Sequence, residues 1–315
     1  MNVDKIPKIL QKIEKILTSQ YVFPSIAQKM SKYLWQRFEA KQYHNCLDYP
    51  LLAQKLSSDL RYISKDNHLS IRYKPKQAIT LKRQEQRQAS PSIPAAAQLQ
   101  KWQDQNYGFK TVQQLDYAIG YLKFDAFFPP QYAAPTATAA LNFLRNSRAF
   151  IIDLRDNKGG SPAMIQFLSS YFLGHIPVHL NTFYWRPSNS YQEFWSLPYV
   201  PGKTHPDSPL YLLTSSTTFS AAEEFCYNLK HLQRATLIGS TTKGGAHPNE
   251  VERINNKLLL YVPKGRAINP ITQSNWEGIG VRPHIEQPAQ QVFATAFAMA
   301  KAKTCELPIQ SRADG

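Results

Sequence analysis

The 315-residue sequence predicts an α/β protein with a helical N-terminal part. Two observations carry that prediction. Ile6, Ile9, Leu10, Ile13, Ile16 and Leu17 recur at i, i+3, i+4 and i+7, the spacing of an amphipathic helix. From Tyr107 onward, short β-branched or aromatic runs alternate with helical patterns, which argues for a sheet covered by helices.

The elements follow in order. A second helix is expected after Pro24, with Ile26, Met30, Leu34 and Phe38 on one stripe, and a third from about Pro50, with Leu52, Leu56, Leu60 and Ile63. A membrane-surface role for the first helix is conceivable. Packing against its two neighbours is preferred, because apolar helical stripes usually face a core. Residues 1–73 are therefore read as a helical subdomain. Residues 74–106 are rich in Lys, Gln, Ala and Pro with little periodicity, and are read as a linker or excursion. Residues 107–303 form the expected core. Strands are predicted near 118–124, 149–154, 210–213, 235–239 and 257–263, with helices near 136–146, 162–173 and 220–233. No internal repeat is present.

Composition narrows the function classes. With 43% apolar and 12% aromatic residues the chain can bury a sizeable core. No run of 18 apolar residues occurs, so no membrane-spanning helix is expected. The N-terminal MNVDKIPKILQKIEKIL is punctuated by lysine and lacks the apolar centre of a secretory signal, so a cytoplasmic location is expected. An exported mature form whose leader has been replaced would read the same. Cys46, Cys226 and Cys305 are odd in number and far apart, which argues against a disulfide framework. The net charge is +15, and residues 61–90 hold eight Lys or Arg against two Asp or Glu. That stretch has only Tyr62 and Tyr73 as aromatics, so the interleaved stacking pattern of a single-strand binder is missing, and a solvated basic surface is the preferred reading over a nucleic-acid site.

Four segments could carry chemistry. Residues 209–225 read PLYLLTSSTTFSAAEEF, an apolar strand that meets a small-residue loop and then a helix opening at Ser220. A serine there stands beside the helix's unpaired amides and its positive end, which suits a nucleophile and an oxyanion. Ser220-Ala-Ala-Glu223 also fits a capping box, and the two uses compete for one hydroxyl. DLRDNKGG (153–160) is a buried strand running into a glycine-terminated turn. Its Gly159 and Gly160 amides can face a ligand, although an ordinary strand-to-helix turn reads the same way. His68 in DNHLS (66–70) and Glu277 in NWEGIGV (275–281) are candidate acid-base groups, with structural or surface roles as the alternatives. The remaining histidines show no metal-ligand spacing. His175 and His179 flank Ile-Pro-Val, and His247 in KGGAHP has no companion ligand and is expected to shape a loop. No cofactor motif is present.

Five strings then carry a resemblance: YVFPSIAQKM, LSSDLRYISKDNHLSIRY, FIIDLRDNKGGSP, LTSSTTFSAAEEFCYNLKHLQRATLIGSTTKGGAHP and VPKGRAINPITQSNWEGIGVRPHI. Together, over residues 21–73 and 147–285, the chain resembles the tail-specific (C-terminal processing) serine protease family. The branch it is most similar to contains interphotoreceptor retinoid-binding protein and bacterial homologues. The resemblance implies a ClpP/crotonase-like β-β-α superhelical core, an N-terminal helical subdomain and serine peptidase chemistry on peptide or protein substrates. Ser220 falls at the family's nucleophile. Members with a Ser-Lys dyad carry lysine where this chain has Gly245, with Lys243 two residues early, so the dyad does not fit. The tricorn core protease, which uses serine, histidine and glutamate, is the better parallel and implies His68 as base and Glu277 as its support. Ala221 with Gly159 or Gly160 would then supply the oxyanion hole. Asn67, Ser240 and His284 depart from residues common in the family, and no PDZ-like domain separates the helical part from the core. The retinoid-binding relative implies an alternative, a non-catalytic binder of an apolar ligand such as a retinoid or fatty acid. The oligomeric state is not encoded in any motif.

Overall fold

The computed structural model describes residues 3–86 and 96–306. In chain order its elements begin with helices α1 (Ile6–Gln20), α2 (Pro24–Glu39) and α3 (Tyr49–Ser64), strand β1 (Ser70–Tyr73), and helices α4 (Pro75–Gln86) and α5 (Ala96–Asp104). Strands β2 (Phe109–Leu115) and β3 (Ile119–Phe124), helix α6 (Pro130–Phe143), strand β4 (Ala149–Asp153) and helix α7 (Pro162–Ser170) follow. Next come β5 (His179–Trp185), β6 (Ser190–Trp195), β7 (Leu210–Thr214), α8 (Ala221–His231) and β8 (Thr236–Gly239). The last are β9 (Asn249–Arg253), β10 (Leu258–Pro263), β11 (Gly265–Ile268), β12 (Ile285–Glu286) and α9 (Val292–Glu306). None of the described helices is long and apolar enough to cross a membrane.

The chain divides into two compact units that are not continuous in sequence. The first takes Met1–Ala95, Phe183–Gln192 and His247–Ile268; the second takes Ala96–Thr182, Glu193–Ala246 and Asn269–Gly315. Residues 183–192 and 247–268, expected within the 107–303 core, thus cluster with the N-terminal residues. The 74–106 stretch carries α4 and α5, with 87–95 outside the described residues. Its Lys, Gln and Ala are good helix formers even without an apolar stripe.

In the first unit the predicted helices α1, α2 and α3 pack with an antiparallel sheet ordered β1-β10-β9. Ser70 pairs with Tyr261 and Leu259 with Arg253. The stripe Ile6, Leu10, Ile13 and Leu17 joins Met30, Leu34, Leu52, Leu56 and Leu60 in one core, closed by Leu258, Leu260 and Val262. Pro at the start of each of these helices costs no backbone donor, because those amides lack intrahelical partners anyway. Asp48 caps α3 by accepting from Leu51 N at 2.8 Å, and Lys65 in the left-handed region (φ 56) ends it. Ser57 Oγ then accepts Ile71 N at 2.8 Å, tying α3 to β1.

The second unit holds a six-stranded sheet ordered β12-β8-β7-β4-β3-β2. Every pairing from β3 to β12 is parallel, and only the β2–β3 hairpin is antiparallel. Central strands β4 and β7 are buried at every residue, as expected of parallel strands covered on both faces. Helix α9 contributes Val292, Ala296 and Ala300 to the core that includes Ile151, Tyr211, Leu213 and Ile238. The sheet thereby acquires a cover that the sequence reading did not anticipate, because small alanines leave no conspicuous apolar stripe. A third sheet has the order β11-β5-β6.

Candidate active site

Parallel strands β4 and β7 end side by side, Asp153 pairing with Leu213. The segments that leave their C-terminal ends are therefore neighbours, the position where α/β sheets place ligands. After β4, Asp153 is fully buried and accepts Arg155 Nη2 at 2.6 Å and the Tyr121 hydroxyl at 2.8 Å. Burial alone would raise its pKa, but the bonds from Arg155 outweigh that and hold the carboxyl below its ordinary value.

The two loops are stitched together residue by residue. Ser215 Oγ and Thr217 Oγ1 donate to the Arg155 carbonyl, and Thr218 Oγ1 donates to that of Leu154 at 2.9 Å. Phe219 N donates to the Asn157 carbonyl at 3.1 Å, and Lys158 Nζ to the Thr217 carbonyl at 2.9 Å. These bonds bring the glycine turn against the start of α8. A Cβ added at Gly159 would lie 2.7 Å from Ala221 N and 2.8 Å from Ser220 Cβ. At Gly160 it would meet the Phe127 carbonyl oxygen at 2.1 Å. Only glycine fits these approaches, and φ of +92° and +147° suits it as well.

Ser220 is half-buried and stands at φ 57, ψ −123, an unusual conformation for a residue with a Cβ. The expected capping box is present, Ser220 N donating to Glu223 Oε2 at 2.8 Å. Glu223 does more than cap. Fully buried, its carboxylate also accepts Thr242 Oγ1 at 2.5 Å, Gly244 N at 2.6 Å and Gly245 N at 2.9 Å. Burial pushes its pKa up, and these bonds oppose the shift. The serine's backbone and the TTKGGA loop are thus fixed by one anion.

Glu277 reaches the same loop, its Oε2 accepting Ala246 N at 2.5 Å. Its neighbours brace it: buried Trp276 donates Nε1 to the Gly245 carbonyl at 2.8 Å, and Gly278 N donates to the Gly244 carbonyl at 3.2 Å. Lys243 lays its ammonium 4.9 Å from the centre of the Phe219 ring. His284 anchors β8, its Nδ1 accepting from Leu237 N at 3.0 Å.

Of the residues singled out in the sequence, Ser220, Ala221, Gly159, Gly160 and Glu277 belong to the second unit, and His68 belongs to the first. Ser220, Ala221 and Gly159 are in direct proximity. Gly159 N donates to Asn157 Oδ1 at 2.8 Å, inside its own turn. No such bond from the amides of Gly160 or Ala221 occurs among the described residues. Three groups escaped the sequence reading. Asn157 shapes the turn, but nothing in the string DNKGG announces it. Glu223 was visible only as a cap partner, because its other donors lie about twenty residues away. Asp66, in the first unit, is buried and binds His247 Nδ1 at 2.8 Å. Its two-residue spacing to His68 was the one available signal.

Residues 118–287 match the model of peptidase family S41, and residues 3–110 match that of the N-terminal domain of peptidase S41 in eukaryotic IRBP. The chain is 28% identical over 168 residues to the chloroplastic carboxyl-terminal-processing peptidase 2 of Arabidopsis thaliana. That match covers 52% of this chain and 31% of the relative, so the chain spans about a third of the length of the curated relative it matches. Among solved structures, a lipoprotein from Streptococcus agalactiae superposes with a TM-score of 0.60 at 13% identity, over 94% of this chain and 96% of that one. The photosystem II D1 C-terminal processing protease superposes at 0.55 and 14% identity, covering 91% and 94%. These likenesses show that the fold is shared.

Proposed function

Because the chain belongs to peptidase family S41, we propose that it is a serine peptidase that cleaves peptide bonds internally, with Ser220 as nucleophile. His68 is assigned the general base and Glu277 its support, on the match of DNHLS and NWEGIGV to the serine-histidine-glutamate pattern. Ser220 Oγ attacks the scissile carbonyl and forms a tetrahedral intermediate as its proton passes to the base. The same proton then goes to the leaving amine, and water releases the acyl group by the reverse sequence. The backbone amides of Ala221 and Gly160 are assigned to the oxyanion. Loss of one such donor costs about 100- to 1000-fold in turnover in other serine proteases.

One observation carries the reading: Ser220 is held at positive φ at the mouth of α8, with the Ala221 amide pressed against a glycine turn. A purely structural helix cap has no need of that backbone. The substrate is a peptide or protein, as the chemistry requires. The test is hydrolysis of an unfolded protein such as casein by the wild-type chain and by Ser220→Ala and His68→Ala. Loss of turnover in both variants, with folding retained, supports the assignment. Equal turnover in Ser220→Ala would refute it. Saturable binding of retinol or a fatty acid by a chain that hydrolyses nothing would favour the binding-module alternative.

A further inference from the structure

The loop that carries His68 is held by a buried polar network of Asp66, Tyr21 and His247. Helix α3 ends at the left-handed Lys65, and the chain turns at once into Asp66, whose exposure is 1%. Asp66 Oδ1 accepts the backbone N–H of His68 at 2.9 Å. Its Oδ2 accepts the Tyr21 hydroxyl at 3.2 Å and bonds Nδ1 of His247 at 2.8 Å. His247 is itself 5% exposed, with the Phe23 ring edge-on at 5.3 Å between centres. On the other side, Asn249 Nδ2 donates to the His68 carbonyl at 3.4 Å. Leu69 (0% exposed) and Ile71 (4%) then fasten the strand that follows. His68 is thus gripped through its backbone, at the N–H by the Asp66 side chain and at the C=O by that of Asn249.

A buried carboxylate with an imidazole partner is an expensive way to stabilise a loop. Desolvating such a pair consumes most of its attraction, and apolar residues of similar size often serve stability as well or better. What the pair does provide is direction, because its bonds fix angles that apolar contacts leave loose. We propose that Asp66, oriented by His247 and Tyr21, is a positioning residue that fixes the His68 backbone for proton transfer. The inference rests on the reading of His68 as general base. It gives His247 a role distinct from metal binding and from loop shape alone. His247 Nδ1 is read as the donor and Asp66 as the acceptor, so the imidazole steers the carboxylate and the carboxylate steers the base.

The experiment uses the full chain and a fluorescent fluorophosphonate, read as the maximal inactivation rate and the half-saturating concentration, normalised to folded protein by urea titration. Asp66→Asn keeps the shape of the side chain but turns an acceptor into a donor toward His247 and Tyr21. In Asp66→Asn and in His247→Ala the maximal rate should fall about 10- to 100-fold, the scale of an ångström-level misplacement of a reacting group. The half-saturating concentration should stay within about two-fold, since reagent binding is not what changes. His247→Asn should recover most of the rate, because its Nδ2–H can donate where Nδ1–H does. If both damaging variants lower the urea midpoint yet label at the wild-type rate per folded molecule, the network is only structural and the proposal is overturned. His68→Ala separates the two levels of the argument. A collapsed rate in His68→Ala with a normal rate in Asp66→Asn removes this inference alone. A normal rate in His68→Ala removes the base assignment and this inference with it.

Discussion

Ser220 holds its side chain on a backbone at φ 57, ψ −123, where a Cβ crowds its own peptide group. Conformations of this kind cost about 1–3 kcal/mol for a non-glycine residue and persist where function requires them. The strain belongs to the Cβ and not to the hydroxyl, which leads to a clean expectation. Ser220→Gly should be more stable to urea than Ser220→Ala by about 1 kcal/mol, since Gly relieves the strain that Ala retains. Both variants should be inactive. Equal stability would mean that the backbone is relaxed and that the serine is an ordinary cap. The string TTFSAAEEF announced a serine at a helix entry, and S-x-x-E announced its partner Glu223. It could not announce the positive φ, because that is imposed by Glu223, the Gly159 turn and the Phe219–Asn157 bond acting together. The same limit hid the bond from Gly159 N to Asn157 Oδ1, which local turn geometry makes.

Helix α8 carries an unusual load. Its first turn holds two glutamates, Glu223 and Glu224, both buried. Glu223 meets four donors, whereas burial pushes the Glu224 carboxyl up to about 7, opposed by the neighbouring Asn181 side chain. The sign of the stability effect follows. A carboxyl whose folded-state pKa exceeds its unfolded value of 4.5 stabilises the fold fully below pH 4.5, and that stability is lost as pH rises through about 7. A shift from 4.5 to about 7 corresponds to a loss on the order of 3 kcal/mol by pH 8. Glu224→Gln should therefore be more stable than wild type at pH 8 and nearly equal to it at pH 4.5, measured by urea unfolding at both values. A stability difference independent of pH would contradict the buried, protonated carboxyl. The pattern Ala222, Phe225, Leu229 made this helix legible in the sequence. Its buried acidic face was not legible, because Glu at a helix N-terminus normally signals a solvated partner for the dipole.

At the scale of the molecule, the sequence order and the folding order diverge. The three N-terminal stripes and the alternation after Tyr107 were sufficient to foresee a helical part and an α/β part. Periodicity is local, however, and gave no reason to assign 247–268 to the N-terminal unit. Leu258, Leu260 and Val262 read simply as another core strand, yet they close the core built on Ile6, Leu10 and Ile13. Helix α9 was missed for the opposite reason, its alanines packing on the sheet without a large apolar stripe. A fragment comprising residues 111–315 retains the whole six-stranded sheet except part of β2, but strips β9 and β10 of their helical cover. It should show rapid amide exchange over 249–263 and bind a hydrophobic dye, while β4 and β7 remain protected. Full protection of 249–263 in that fragment would show that the two units are drawn wrongly.

The proposed chemistry rests on one hydroxyl, that of Ser220. Peptide mapping by mass spectrometry after fluorophosphonate treatment checks it. A single stoichiometric adduct is expected on the peptide containing Ser220, absent from Ser220→Ala and from urea-unfolded protein. An adduct on another residue of the folded chain, or none while the chain still cleaves casein, would contradict it.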